Sequence, residues 1–186
     1  MTSWFSADFH LGHSNILEYS NRPFSSVTEM NESIIENHNK LVKPSDCWYF
    51  LGDFALCKTE DAIEMLKRLN GQKFTVFGNH DKYNRKSKEY TSLWQWAKDY
   101  AEIRIEDQAI VLMHFPLLSW NRMHYKSWDL HGHCHGSLQP NAKARRLDVG
   151  VDCFNYNPVS FEQIKLIMDE RGGDLVDHHG ARGDGY

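Results

Sequence analysis

The sequence predicts an α/β protein. Two observations carry this: short apolar runs alternate along the chain with polar stretches of helical period, and the apolar runs end in a carboxylate, an amide or a histidine. The 186 residues, with a hydrophobic fraction of 41%, suffice for one domain with a real core. The elements follow in order. Ser3–Ala7, "SWFSA", reads as a strand. Thr28–Val42 reads as a helix, with Met30, Ile34, Ile35, Leu41 and Val42 near the helical period and Pro44 just beyond its end. Cys47–Leu51, "CWYFL", is a buried strand. Residues 59–71 form a helix that starts at Thr59 and stops at Gly71. Lys73–Phe77 is the next strand, and Lys82–Asp99 is read as helix with loops. Ala109–Met113, the run "SWDL" at 127–130 and Arg145–Val151 are strands. Ser160 caps a last helix reaching Glu170. The expected domain spans residues 1–170, and the glycine-rich residues 171–186 are expected to form a tail.

Composition narrows the class. A net charge of −4 and the absence of a basic, aromatic platform do not indicate a nucleic-acid partner. No run is long and apolar enough to span a membrane, and "MTSWFSADFH" lacks the pattern of a secretory leader. Cys47, Cys57, Cys134 and Cys153 are scattered without a disulfide framework, so reduced thiols and a cytoplasmic location are expected.

The polar residues that end the apolar runs are specific. "SWFSA" is followed by Asp8-Phe9-His10, "CWYFL" by Gly52-Asp53, and "KFTVF" by Gly78-Asn79-His80-Asp81. "AIVLM" is followed by His114, and "SWDL" by His131-Gly132-His133-Cys134-His135. In α/β sheets, sites form outside the carboxyl ends of strands, so co-directional strands would bring these groups into one pocket. In an extended backbone, Asp8 and His10 would share a side, as would His133 and His135, with Cys134 turned away as packing. Gly52 and Gly78 suit sharp exits that need positive φ or close backbone approach. Two carboxylates, one amide oxygen and four imidazoles, with His80 left over, are too many donors for one tetrahedral ion and about right for two ions sharing a carboxylate.

The ordered blocks "DFH", "GD", "GNHD", "MH" and "GHCH" resemble the calcineurin-like metallophosphoesterases, whose pattern is D-x-H, G-D, G-N-H-D/E, H and G-H-x-H. The resemblance covers residues 8–135 and implies a four-layer αββα sandwich, two mixed sheets flanked by helices, with two metals at one edge. It assigns Asp8, His10, Asp53 and His135 to one metal and Asp53, Asn79, His114 and His133 to the other. By the same resemblance Asp53 would bridge the two, and His80 would sit beside the metals, facing substrate. The protein-phosphatase branch extends its second block to G-D-x-V-D-R-G. Here "GDFALCK" puts Leu56 and Cys57 where that branch has aspartate and arginine, so the chain looks more like the small microbial and phage phosphoesterases.

The function expected from this is hydrolysis of a small, nucleotide-like phosphodiester, with a monoester as the lesser choice. A water activated between two divalent ions would be the attacking group, Asn79 would hold the phosphate oxygens, and His80 would protonate the leaving group or, as imidazolium, stabilise its developing charge. Manganese is the expected metal, and Fe, Zn, Co or Ni would also suit the donor set. The rivals are a nuclease and, in another class, a catalytically silent metal-stabilised binding module. Arg22, in "NRPF", is a candidate phosphate clamp competing with a surface ion pair, and His13 and His131 are candidate contacts around the metals.

Overall fold

The computed structural model describes residues 1–138 and 144–171. Its elements are β1 (Ser3–Ser6), α1 (Ile16–Tyr19), α2 (Val27–Leu41), β2 (Cys47–Phe50), α3 (Thr59–Lys67), β3 (Gln72–Val76), α4 (Lys88–Ser92), β4 (Trp96–Lys98), β5 (Ala101–Ile105), β6 (Gln108–Leu112), β7 (Trp128–His131), β8 (Arg146–Asp148), β9 (Val159–Ser160) and α5 (Phe161–Asp169). The tail expected at 171–186 lies, apart from Arg171, outside the described residues.

Two mixed sheets form, ordered β4-β3-β2-β1-β9 and β5-β6-β7-β8. In the first, β1, β2, β3 and β4 run parallel and only β9 opposes them. In the second, β6, β7 and β8 are parallel and β5 is antiparallel. Alternation along each strand sorts its side chains into two layers. Trp48 and Phe50 face the helices and pack with Phe9, Phe54, Tyr90 and Trp94, together with Met30, Ile34 and Ile35 of α2 and Leu66 of α3. Phe5, Ala7 and Leu51 face the other sheet and meet Ile110, Leu112, Trp128, Leu130 and Leu147, with Phe161, Ile164 and Met168 of α5 in the same core. The two sheets are flanked by helices, as the resemblance implies. Over the second sheet, among the described residues, Leu117, Trp120 and Met123 pack on Val111.

Local signals account for several boundaries. Ser26, two residues before the expected start, caps α2 by accepting from the Glu29 N–H, which sets its first turn. Ser160 caps α5 as expected, and Gln163 completes a capping box. At α3 the cap position is Lys58, and Thr59 is already helical. Leu41 fits the helical count but is exposed, because its position falls off the core-facing stripe. The stretch read as helix with loops also contains a strand, β4, added in parallel beside β3.

Register places the site. Ser6, Phe50 and Thr75 are level across β1, β2 and β3, so these strands leave the sheet together. Leu112 and Leu130 are likewise level in β6 and β7. A parallel bridge between Ala7 and Gly150 ties the exit of β1 to the segment after β8, which brings the carboxyl edges of both sheets to one rim.

Candidate metal centre

Each expected donor stands just past a strand end on that rim. Asp8, His10, Asp53 and Asn79 come from the first sheet, and His114, His133 and His135 from the second. The backbone there is not extended. Asp8, His10, Asp53, His133 and His135 have φ of 59°, 52°, 61°, 70° and 48°. The pairing of Asp8 with His10 and of His133 with His135 therefore comes from tight left-handed turns and not from strand alternation. Such conformations cost non-glycine residues on the order of 1 kcal/mol or more each and persist where the surroundings impose them. Those surroundings are visible: Asp8 N–H donates to Gly52 O at 3.0 Å, and His10 N–H to Asp53 O at 3.0 Å. Cys134 is not turned into a core as alternation suggested. It is half-buried and lines the cleft, because its loop turns back through a bond from its own N–H to Gly132 O.

Close approach governs the centre. Gly52 has φ +93°, and a Cβ there would lie 2.5 Å from Gly78 N; a Cβ on Gly78 would overlap the Asp53 carboxylate. The two glycines let the exits of β2 and β3 touch. Asp81 locks the same junction, accepting from Asp53 N–H (2.9 Å), Phe54 N–H (3.0 Å) and Gly78 N–H (2.8 Å).

The candidate ligand atoms crowd together. His114 Nδ1–H donates to Leu51 O at 2.8 Å, which leaves Nε2 as the lone-pair nitrogen of the neutral ring. That nitrogen sits 3.0 Å from Asn79 Oδ1 and 3.3 Å from Asp53 Oδ2, and His133 Nδ1 is also 3.0 Å from Asn79 Oδ1. His10 Nε2 is 3.6 Å from Asp53 Oδ2. Asp8 Oδ1 and both ring nitrogens of His10 are buried with no hydrogen-bond partner among the described residues. Lone pairs at these distances, in a buried place, need a cation among them. The donor set fits divalent metal: Asp8, His10 and His135 bring ligand atoms within 4.8 Å of one another, as do Asp8, Asp53 and His114.

The electrostatics agree. Burial pushes the Asp8 carboxyl up to about 7. Burial likewise drives His10 well below its ordinary value, so its ring stays neutral, the form in which an imidazole can bind metal. Burial would raise Asp53, yet the hydrogen bond and charge of His114 beside it hold it down at about 2. His114 shows the reverse: burial opposes its cation, but Asp53 raises it to about 9. In this geometry a proton on His114 takes the place that a metal ion would take.

Two residues support the candidate ligands: Asp152, which sequence reasoning missed, and Arg22, which it read as a phosphate clamp or surface ion pair. Asp152 accepts from His135 Nδ1–H at 2.7 Å, which leaves the other ring nitrogen free for a metal, the carboxylate support that metal-binding histidines take. Arg22 grips Asp152 with Nε and Nη2 at 2.9 and 2.8 Å and donates to Asp8 O at 2.7 Å and Phe9 O at 2.9 Å. It is 4% exposed, so it is neither a phosphate clamp nor a surface ion pair; its donors are spent holding the Asp8 turn and Asp152. The signal for Asp152 was available, since "RLDVGVD" is one more apolar run ending in a carboxylate.

His80 is half-exposed. Its N–H donates to Asp53 Oδ1 at 2.8 Å, and its Nε2 is 4.0 Å from Asp53 Oδ2. His13 lines the cleft, whereas His131 is buried against its own loop, with Nδ1 2.8 Å from Gly132 O. The cleft holds about 650 Å3 and is lined by His10, Asp53, Asn79, His80, His133 and His135, with His13, Tyr19, Ser20, Asn21, Cys134 and Ser137 around them.

Residues 1–181 match the family model of the calcineurin-like phosphoesterases. The chain belongs to that family. It is therefore a metal-dependent phosphoesterase, a hydrolase of phosphoric esters. It is 34% identical over 171 residues to an uncharacterised protein of Methanocaldococcus jannaschii, covering 88% of this chain and 89% of that one. Among solved structures it is similar to a protein of unknown function from Aquifex aeolicus, with a TM-score of 0.72, 26% identity, and 89% and 98% of the two chains covered. A novel archaeal phosphodiesterase shares the phosphoesterase's fold at a TM-score of 0.51 and 19% identity, over 81% of this chain and 82% of its own. No helix among the described residues is long and apolar enough to cross a membrane.

Proposed function

We propose that the chain is a phosphodiesterase with a two-ion centre, acting on a small nucleotide-like diester. One observation carries this: candidate ligand atoms from both sheets converge on Asp53, in two groups that share Asp8. One ion would rest on Asp8, His10, Asp53 and His135, the other on Asp53, Asn79, His114 and His133. Divalent ions there, manganese first among them, would supply Lewis acidity and an activated water.

The chain's own residues supply the rest. Asn79 turns Oδ1 toward His114 and His133, leaving its amide N–H groups to hold a phosphate oxygen. His80 is tied by its backbone to Asp53 while its half-exposed ring faces the cleft, where it can give a proton to the leaving oxygen. A water oxygen would bond to phosphorus as the P–O ester bond breaks; the electron pair of the broken bond passes to the leaving oxygen, which the His80 proton neutralises.

Preference for a diester follows from the cleft wall. A monoester carries about two charges at neutral pH and calls for extra cations. No lysine or arginine lines the cleft among the described residues, and Arg22 is committed elsewhere. The test is to load the protein with manganese, count ions per chain, and compare bis-p-nitrophenyl phosphate with p-nitrophenyl phosphate. About two ions and faster turnover of the diester are expected. One ion with full activity overturns the two-ion centre, and a strong preference for the monoester overturns the diester reading.

A further inference from the structure

The wall of the cleft beyond His80 is built by the segment that follows His10. It is pinned at three points. Gly12 has φ +76°, and a Cβ there would lie 2.6 Å from Cys57 Cβ, so only glycine lets the chain pass so close to its neighbour. Gly12 N–H donates to Asn31 Oδ1 at 3.0 Å, and His13 N–H donates to His10 O at 3.1 Å. The His13 ring is held in this way 5.5 Å from the ring of His10 and 6.2 Å from that of His80. Its Nδ1 is buried without a hydrogen-bond partner among the described residues.

Tyr19, at the end of α1, meets His13 edge to face, with centroids 6.2 Å apart and planes at 73°. The tyrosine is 72% exposed and lines the same cleft. A solitary exposed tyrosine is ordinary. Here the bare ring stands against a pinned histidine, on the wall shared with His80, and Ser20 and Asn21 add polar side chains to the same cleft lining.

We propose that His13 and Tyr19 form the subsite for the leaving arm of the diester, and that this arm carries a flat ring, a nucleobase or an aryl group. The assignment rests on the phosphodiesterase reading. Because His80 protonates the leaving oxygen, the departing group runs along the wall His80 belongs to, across His13 and onto the tyrosine. His13 contacts the substrate by hydrogen bonding, and Tyr19 stacks on the ring.

Bis-p-nitrophenyl phosphate and methyl p-nitrophenyl phosphate lose the same group and differ only in the retained arm. Tyr19→Ala should raise KM about tenfold on both with little change in kcat, a loss typical of one stacked ring, and Tyr19→Phe should restore it. His13→Gln should lower kcat/KM at least about tenfold on both, with manganese content per chain unchanged. An unchanged KM for Tyr19→Ala, or a rise confined to the bis-aryl substrate, overturns the subsite. Loss of metal in His13→Gln removes His13 from it. Calorimetry provides a readout apart from turnover: manganese-loaded wild type should bind adenosine 5′-monophosphate about tenfold more tightly than inorganic phosphate, and Tyr19→Ala should erase the difference. No turnover of either diester, with that difference intact, defeats the phosphodiesterase reading. Equal binding of the two ligands by wild type defeats the stacking subsite.

Discussion

Asp53 serves both sheets at once. Its Oδ1 accepts from His80 N–H at 2.8 Å, and its Oδ2 faces His10 at 3.6 Å and His114 at 3.3 Å. An amide keeps the shape but loses the charge, and it bridges two cations poorly. Asp53→Asn should lower turnover by orders of magnitude while the circular-dichroism spectrum stays native; retention of more than about a tenth of wild-type turnover would rule out a bridging role. Asp152 acts one step further out. Asp152→Asn should weaken metal binding by about 10- to 100-fold through the freed His135 ring, read by titrating the metal-free protein. Truncating Arg22 is a different matter, since it strips a buried ion pair and two carbonyl partners; it should cost stability, not raise KM. The seven candidate donors were legible as residue types at the ends of apolar runs. Their geometry was not, because spacing of two implies a shared face only in extended chain, and these residues adopt left-handed turns. Arg22 was misread for a related reason: an arginine near a proline carries no sign of burial.

The elements teach a similar lesson about local signals. Long amphipathic or wholly apolar stretches such as α2, β2 and α5 declared themselves through period and caps. β4 did not, because "WAK" at 96–98 gains its identity only from pairing beside β3. β5 did carry a signal: "AEIRI" alternates, with Ala101 buried, Glu102 and Arg104 exposed, and Ile103 and Ile105 half-buried, the pattern of a strand with one face on a core. Element packing also sets what the rim tolerates. Gly78→Ala would drive a methyl group into the Asp53 carboxylate and force β2 and β3 apart at their exits. It should cost about 1–3 kcal/mol of stability and abolish tight manganese binding, measured by denaturant unfolding and metal titration. Native affinity would show that the two exits need not touch.

For the molecule as a whole, the centre couples stability to pH. Burial works against a charged His114, but Asp53 holds it protonated to about pH 9, against 6.5 for the free side chain. Above pH 6.5 the unfolded chain has released a proton that the folded chain still keeps, so the stabilisation is full below 6.5 and is lost as pH rises through 9. His135, raised through its bond to Asp152 despite burial, acts in the same sense. The metal-free protein should therefore show a urea midpoint that falls between pH 6.5 and 9, and manganese, which needs these rings deprotonated, should reduce or reverse the fall. A flat midpoint in the metal-free protein would show that Asp53 and His114 do not share a proton. The whole-molecule plan was the most legible level, because ordered blocks at strand ends imply parallel strands opening on one rim. The loop packing on Val111 of the second sheet was not, since residues such as Trp120 and Met123 show no period.

The two sheets supply separate halves of the donor set, and this bears on how the protein comes apart. Ions held as proposed from both sides of the seam would act as a latch that must open before the sheets separate. The free energy of metal binding should then appear chiefly as slower unfolding, with refolding little changed. At free manganese a hundred times its dissociation constant, the unfolding limb should slow by up to about a hundredfold, and a chelator should restore the fast rate. Equal changes in both limbs would mean that the seam closes around the ions before the rate-limiting step.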